Sequence, residues 1–227
     1  MTSTPAIPDR VVIVGNGQLA ELALARFRRD HPDTCVVGFV VDRAHLAGPT
    51  LHGLPVHPFD EIEHQFPAAT HAAFVAIGPV RVNGVRAQHF EALRARGYRL
   101  PSLVSPRAHV WPDVQMGENC TVGDGSVVLP FTRLGDNVHI GSGCTIGHHV
   151  VLDDHAFLAA HVALAGSVTV GRRVVMGVGA VARDRLRVGA EAVVGAGVVL
   201  GGHVAERAVL AAPAPVRLPL TSDQLPD

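Results

Sequence analysis

From Val104 to Leu200 an aliphatic residue returns at every sixth position: Val104, Val110, Met116, Val122, Val128 and Leu134, then Ile140, Ile146, Leu152, Leu158, Leu164 and Val170, and finally Met176, Ala182, Val188, Val194 and Leu200. The residue after it is often glycine, as at Gly117, Gly123, Gly147 and Gly177, and the fourth after it is small or aliphatic, as at Cys120, Cys144, Val162 and Ala180. A period of six fits neither an amphipathic helix nor a long alternating strand, because each apolar pair is followed by a reset at a turn. Each hexapeptide is one short strand plus one corner, the pattern of a parallel β-helix. Three strands make a triangular coil of eighteen residues, so residues eighteen apart stack on one face at a spacing of about 4.8 Å. Seventeen repeats predict nearly six coils with an inward ladder of Val, Leu and Ile.

The first hundred residues follow another pattern. The β-branched run 10–16 ends at Gly15, Asn16 and Gly17, and 18–29 carries Leu19, Leu22, Ala23 and Phe27 at helical spacing. A second buried strand over 35–41 ends in Asp42, a third over 72–77 ends in Gly78, and 81–96 reads as a helix with Val85, Phe90 and Leu93 on one side. Alternating strands and helices predict a small parallel sheet of the Rossmann-like kind. Its first turn puts backbone N–H groups and a helix N-terminus where phosphates bind. Gly15-x-Gly17-x-x-Ala20 keeps two of the three fingerprint glycines, which equally serve a tight strand-to-helix turn, and Asp42 either binds a ribose hydroxyl or simply ends its strand. The chain thus divides into 1–101, a Rossmann-like acceptor-binding domain, 102–210, the β-helix, and 211–227, a Pro-rich segment and tail.

With a net charge of −1 over 227 residues, no nucleic-acid footprint is present. All 19 basic residues are Arg, which excludes a lysine nucleophile or Schiff base. Cys35, Cys120 and Cys144 form no CxxC pair, and two of them occupy inward β-helix positions, so they read as core residues in a reducing compartment. The opening MTSTPAIPDR has no apolar signal segment and no apolar run approaches a membrane span, so a cytoplasmic protein without membrane contact is expected.

Together VVIVGNGQLAE, VVGFVVD, GLPV, FVAIGPVRVNGVR, IGHHVVLDDHAFLAAHVALAGSVTVG, GAVVGAGVV and the terminal APAPVR resemble the bacterial sugar acyltransferases typified by the sialic acid O-acetyltransferase family, and their relatives that N-acetylate amino-sugar nucleotides. The resemblance covers nearly the whole chain. It implies a left-handed β-helix, a homotrimer with acetyl-CoA in the groove between adjacent β-helices, a sugar-nucleotide acceptor, and no tightly bound cofactor or metal. The family's histidine base falls at His148 and its carbonyl-polarising backbone N–H at Gly166, eighteen residues further on. Spacing and resemblance meet there, since eighteen residues is one coil. A histidine base suits neutral pH, and such a base contributes about 10²- to 10⁴-fold in rate. Gly15, Asn16, Gly17, Asp42 and Gly78 are assigned to the acceptor, and Gly166, Arg185 and Arg217 to acyl-CoA, while Arg172, Arg173, Arg183, Arg185 and Arg187 on the late coils either meet the CoA phosphates or form a solvated face.

The departures are His149 in place of the acidic partner of the catalytic histidine, Phe157 in place of a second histidine, Leu19 in place of the histidine after the glycines, and Val41-Asp42 in place of an Asp-Asp pair. The missing acid comes from Asp153, Asp154 or a neighbouring chain, or catalysis leans on positioning. His149, His155 and His161 occupy one position of three successive hexapeptides, hence three different faces, with His155 and His161 read as polar corners facing solvent or a subunit interface. Two rival readings remain: a zinc carbonic-anhydrase-like protein, whose metal would lie between subunits, and a non-catalytic CoA- or sugar-binding scaffold with a decayed site.

Overall fold

The β-branched run at the start of the chain forms β1 (Arg10–Val14), and the next twenty-seven residues give α1 (Gln18–Asp30) and β2 (Cys35–Val41). A hairpin of β3 (Thr50–Leu51) and β4 (Leu54–Pro58) follows, then α2 (Ile62–Gln65), β5 (Ala72–Val75) and α3 (Gly84–Ala95). The structure, a computed structural model, describes residues 9–214. The sheet order is β3-β4-β2-β1-β5, parallel except for the β3–β4 pair. Its faces are covered by α1 through Ala20, Ala23, Leu24 and Phe27, and by α3 through Phe90 and Leu93. Leu22, expected on the inner face of α1, is instead half-exposed, and Leu24 is buried. The hairpin went unread because its two short arms carry little apolar pattern.

The hexapeptide region forms seventeen two-residue strands from Leu103–Val104 to Val199–Leu200, each ending on one of the seventeen periodic residues, and Val209–Leu210 adds one more. Every third strand pairs in parallel, giving three flat sheets: a first face beginning at Leu103, a second at His109 and a third at Gln115. Register advances by eighteen, as in Ile140↔Leu158 and Ile146↔Leu164. The inward ladder is fully buried through most of its length, and each buried Leu or Ile contributes about 1.5–3 kcal/mol. Glycine recurs after the strands because the next coil's backbone leaves no room: a Cβ at Gly147 would lie 2.6 Å from the carbonyl carbon of Ala165.

The first face is covered by the N-terminal region. Leu103 joins the core beneath α1, while Phe157 stacks on His139 at 4.3 Å with the rings 6° from parallel. The corner joining the third face to the first supplies the rest of the joint. Its residues Asn119, Asn137, His155 and Arg173 all adopt positive φ and stand eighteen apart. Asn119 accepts the Val75 N–H at 2.8 Å and donates to the Asn137 Oδ1 at 2.9 Å. Asn137 in turn donates to His155 Nδ1 at 2.9 Å. His155 is therefore no solvent-facing corner. It is wholly buried against Phe90 of α3, with Nε2 3.4 Å from Glu91, and burial with Arg172 nearby pushes its pKa down to about 4. Hexapeptide phase puts a residue at a corner without saying which corner another part of the chain will cover.

Candidate active site

His148 and His149 form the corner between the second and third faces, the edge of the prism opposite the covered first face. His149 takes the left-handed conformation, φ 58°, which turns its ring back toward its neighbour, and the two Nδ1 atoms lie 3.0 Å apart. One must donate and the other accept. With His148 as the donor, its proton sits on Nδ1 and its Nε2 carries the free lone pair.

One coil further on stands Gly166. The Ser167 N–H donates to the His148 carbonyl at 2.9 Å and the Arg185 N–H to the Gly166 carbonyl at 2.9 Å, so the three corners are stacked in register. Among the described residues the Gly166 N–H itself makes no hydrogen bond. A Cβ on Gly166 would lie 2.6 Å from Cε1 and 2.7 Å from Nε2 of His148, so the imidazole edge occupies the space that glycine leaves open. The sequence pairing of His148 with Gly166 is thus a spatial one, with a free backbone donor and a ring nitrogen side by side.

No carboxylate bonds or pairs with His148 or His149 among the described residues. Asp153 and Asp154, offered by the sequence as a substitute acid, lie at the next corner, where Asp154 accepts the Asp136 N–H at 2.9 Å. Phe131 went unnoticed in the sequence. It lies one coil before His149, 62 % exposed, with its ring 4.7 Å from the His149 ring, and its N–H is held by Asp113 at 2.7 Å. A bulky residue at φ 63° is held against its preference. Trp111, the chain's one tryptophan, is exposed on the same edge one coil earlier still. Arg185 is exposed one coil beyond Gly166, whereas Arg217 lies outside the described residues. Arg173, one of the late-coil cations, neither faces solvent freely nor waits for a phosphate: it donates to the carbonyls of Arg81 and Val82 and pairs with Glu191 at 2.8 Å.

Residues 131–166, the stretch that holds Phe131, His148 and Gly166, match the family described as bacterial transferase hexapeptide (six repeats). A variant of perosamine N-acetyltransferase from Caulobacter crescentus, solved with CoA and GDP-perosamine, is 30 % identical over 88 % of this chain and 91 % of that one, with a TM-score of 0.79. The chain belongs to the hexapeptide-repeat acetyltransferases. Two further structures share the fold of this acetyltransferase: the acetyltransferase domain of PglB from Neisseria gonorrhoeae, solved with acetyl coenzyme A, at 23 % identity over 89 % of this chain and 95 % of that one and a TM-score of 0.79, and WeeI from Acinetobacter baumannii, at 20 %, 88 %, 94 % and 0.75. No curated protein sequence gives a significant match.

Gly15, Asn16, Gly17, Asp42 and Gly78 of the acetyltransferase do gather, at the carboxyl ends of the adjacent strands β2, β1 and β5. Gly15 has φ 120°, and its missing Cβ avoids the Ala76 carbonyl oxygen, 2.9 Å away. Asn16 donates to the His45 carbonyl at 2.8 Å, and Asp42 meets His89 Nε2 at 3.0 Å while staying half-exposed. Past Gly78 the chain makes a left-handed turn, Arg81-Val82-Asn83, clamped to the β-helix by Arg173 and by Asn83, which donates to the Arg173 and Val174 carbonyls at 3.1 Å. Among the described residues no hydrogen bond, ion pair or ring contact joins this N-terminal region to 147–149 or 165–167. His149, His155 and His161 stand at three different corners, and no cluster of three metal-ligating side chains occurs among the described residues. No described helix is long and apolar enough to cross a membrane.

Proposed function

We propose that this acetyltransferase carries the acetyl group of acetyl-CoA to an amino group of a sugar nucleotide, with His148 as general base and the Gly166 N–H polarising the thioester carbonyl. The observation that carries the reading is the His148 imidazole edge lying against a glycine whose N–H is free. The ligands bound in the structure of the 30 % identical protein, CoA and GDP-perosamine, suggest the substrate classes. His148 Nε2 takes a proton from the amine as its nitrogen bonds the acetyl carbon. The oxyanion accepts from Gly166, the C–S bond breaks, and the thiolate leaves with the proton held on His148. One such oxyanion donor is worth about 2.7–4 kcal/mol. His149 fixes the reactive tautomer by accepting from Nδ1, as an acid would, but stabilises the imidazolium less than a carboxylate does.

Direction along the edge follows from the order of coils. Gly166 and Arg185 lie beyond His148, which makes that the donor side, with Arg185 and Arg217 for the phosphates of CoA. Phe131 and Trp111 lie before it, on the acceptor side, Phe131 near enough to meet the apolar face of the reacting sugar. The crevice of Gly15, Asn16, Gly17, Asp42 and Gly78 holds the nucleotide. Since that crevice is carried by the face opposite His148, the acceptor reaches His148 from a neighbouring subunit of a homotrimer, in the cytoplasm. The division at 1–101, 102–210 and 211–227 separates acceptor region, β-helix and covering segment. The test is acetyl transfer from acetyl-CoA to a panel of amino-sugar nucleotides, followed by mass. His148→Ala should abolish transfer, a loss of about 10²- to 10⁴-fold, while acetyl-CoA affinity stays within a few-fold. Acetyl transfer to hydroxyl sugars alone would move the acceptor from N to O, and unchanged turnover in His148→Ala would remove His148 from the mechanism.

A further inference from the structure

Two arginines are buried where the N-terminal region meets the β-helix, and neither has a carboxylate of its own. Arg26 of α1, 7 % exposed, donates to the Leu103 and Val122 carbonyls at 3.1 and 2.7 Å, and Arg86 of α3, 2 % exposed, donates to the Asn137 carbonyl at 2.8 Å. In each, the buried Nε–H donates to nothing. The acids nearest Arg26, Asp30 and Asp124, are already taken by Arg29 and Arg107. A buried guanidinium without a counter-charge is costly, because burial strips its hydration with nothing opposite to offset the loss.

Both arginines line one small cavity, about 20 Å³, together with Thr121 and His139 and the apolar side chains of Leu19 and Ile77. No acidic residue lines it. Burial, with Arg86 and Arg26 close by, drives the His139 pKa down to about 3, and burial alone takes Arg86 down to about 10. Burial thus disfavours charge at both groups, and at His139 the two arginines add to it. The volume matches about one water-sized sphere, room for a halide and too little for a phosphate.

We propose that this cavity binds a single halide-sized anion, chloride in ordinary solution, held by Arg26 and Arg86 and locking the N-terminal region to the first face of the β-helix. The anion neutralises the two cations in place, so it binds the folded protein and not the unfolded chain, and stability follows its concentration.

The experiment is thermal unfolding of the full chain at fixed ionic strength, replacing sodium methanesulfonate, whose anion is too large for the cavity, by sodium chloride or bromide. The expected result is a saturable rise in Tm of roughly 3–6 °C at tenfold excess over Kd in both halides. Arg86→Met should lose the halide response, while the exposed control Arg28→Met keeps it. Identical melting in halide and methanesulfonate, or an undiminished halide response in Arg86→Met, would overturn the proposal and leave water as the partner of the two Nε–H groups. If Arg86→Met does not fold, crystals of the unaltered protein in bromide decide: an anomalous peak between Arg26 and Arg86 supports the site, and its absence rejects it.

Discussion

Gly166→Ala isolates the geometry on which the catalytic reading stands. The backbone at Gly166 is not in the left-handed region, so alanine meets no conformational strain there. Its methyl would, however, lie 2.6 Å from His148 Cε1 where ordinary contact begins at 3.4 Å, and the three atoms nearest to it all belong to the His148 ring. The ring must therefore retreat by the difference, 3.4 − 2.6 = 0.8 Å. Because the ring is an exposed side chain, the retreat costs the fold little. It costs catalysis much more, since a misplacement of about 1 Å at a reacting group lowers rate by about 10²-fold. The expected outcome is a Tm within a few degrees of the parent and a fall of about 10²-fold in kcat for acetyl transfer, read by thiol release from acetyl-CoA. In a His148→Ala background the methyl has nothing to displace, so the double variant should be no slower than His148→Ala alone, a strong non-additivity. Full turnover of Gly166→Ala, or additive losses in the double variant, would refute the stacked site.

His149→Glu should keep or raise kcat by restoring a carboxylate beside Nδ1, whereas His149→Ala should lower it while leaving both KM values near the parent. An inactive but folded His149→Glu would show that His149 has a role of its own. Phe131→Ala should raise KM for the sugar nucleotide several-fold with KM for acetyl-CoA unchanged and the oligomer intact by light scattering; a dissociated oligomer would instead assign Phe131 to a subunit contact. Stability should fall on acidification. His155 and His139 titrate at about 4 and about 3 in the folded state, against about 6.5 when unfolded, so the unfolded chain takes up protons first. Stability is full above pH 6.5 and declines as pH falls toward 4, and His155→Gln should flatten that decline in melting curves taken from pH 7 to 4.

The β-helix was legible residue by residue because each hexapeptide is a local unit whose inward position repeats in the same phase. All seventeen periodic residues end a strand, and Cys35–Val41 has the bounds its β-branched run predicts. His148 and Gly166 were picked out by the family resemblance, and the eighteen-residue spacing made them neighbours on one edge without any tertiary knowledge. What the pattern lacks is the environment of the outward positions. Phase put His155 at a corner, but its burial depends on Phe90 and Glu91 of α3, more than sixty residues earlier. The left-handed turn Arg81-Val82-Asn83 was hidden because neither Arg nor Val favours positive φ, and the Arg173 clamp that holds it is a long-range contact. His149 was legible as a missing acid, while its own Nδ1 contact with His148 required coordinates.

The eighteen-residue register also sets which changes of length the molecule tolerates. A single-residue insertion in a corner can be absorbed locally, but six extra residues between His148 and Gly166 would turn everything downstream by one face and carry Gly166 to a different corner from His148. Eighteen extra residues in the same place would keep the faces and still separate the pair by a whole coil. Beyond Glu191, the partner of Arg173, whole coils can by contrast be gained or lost without disturbing His148, Gly166 or the corner that docks the N-terminal region. The molecule therefore has one segment of fixed length, about four coils from Asn119 to Glu191, and an extendable end, so length variation among related chains should collect past residue 191 and avoid that segment.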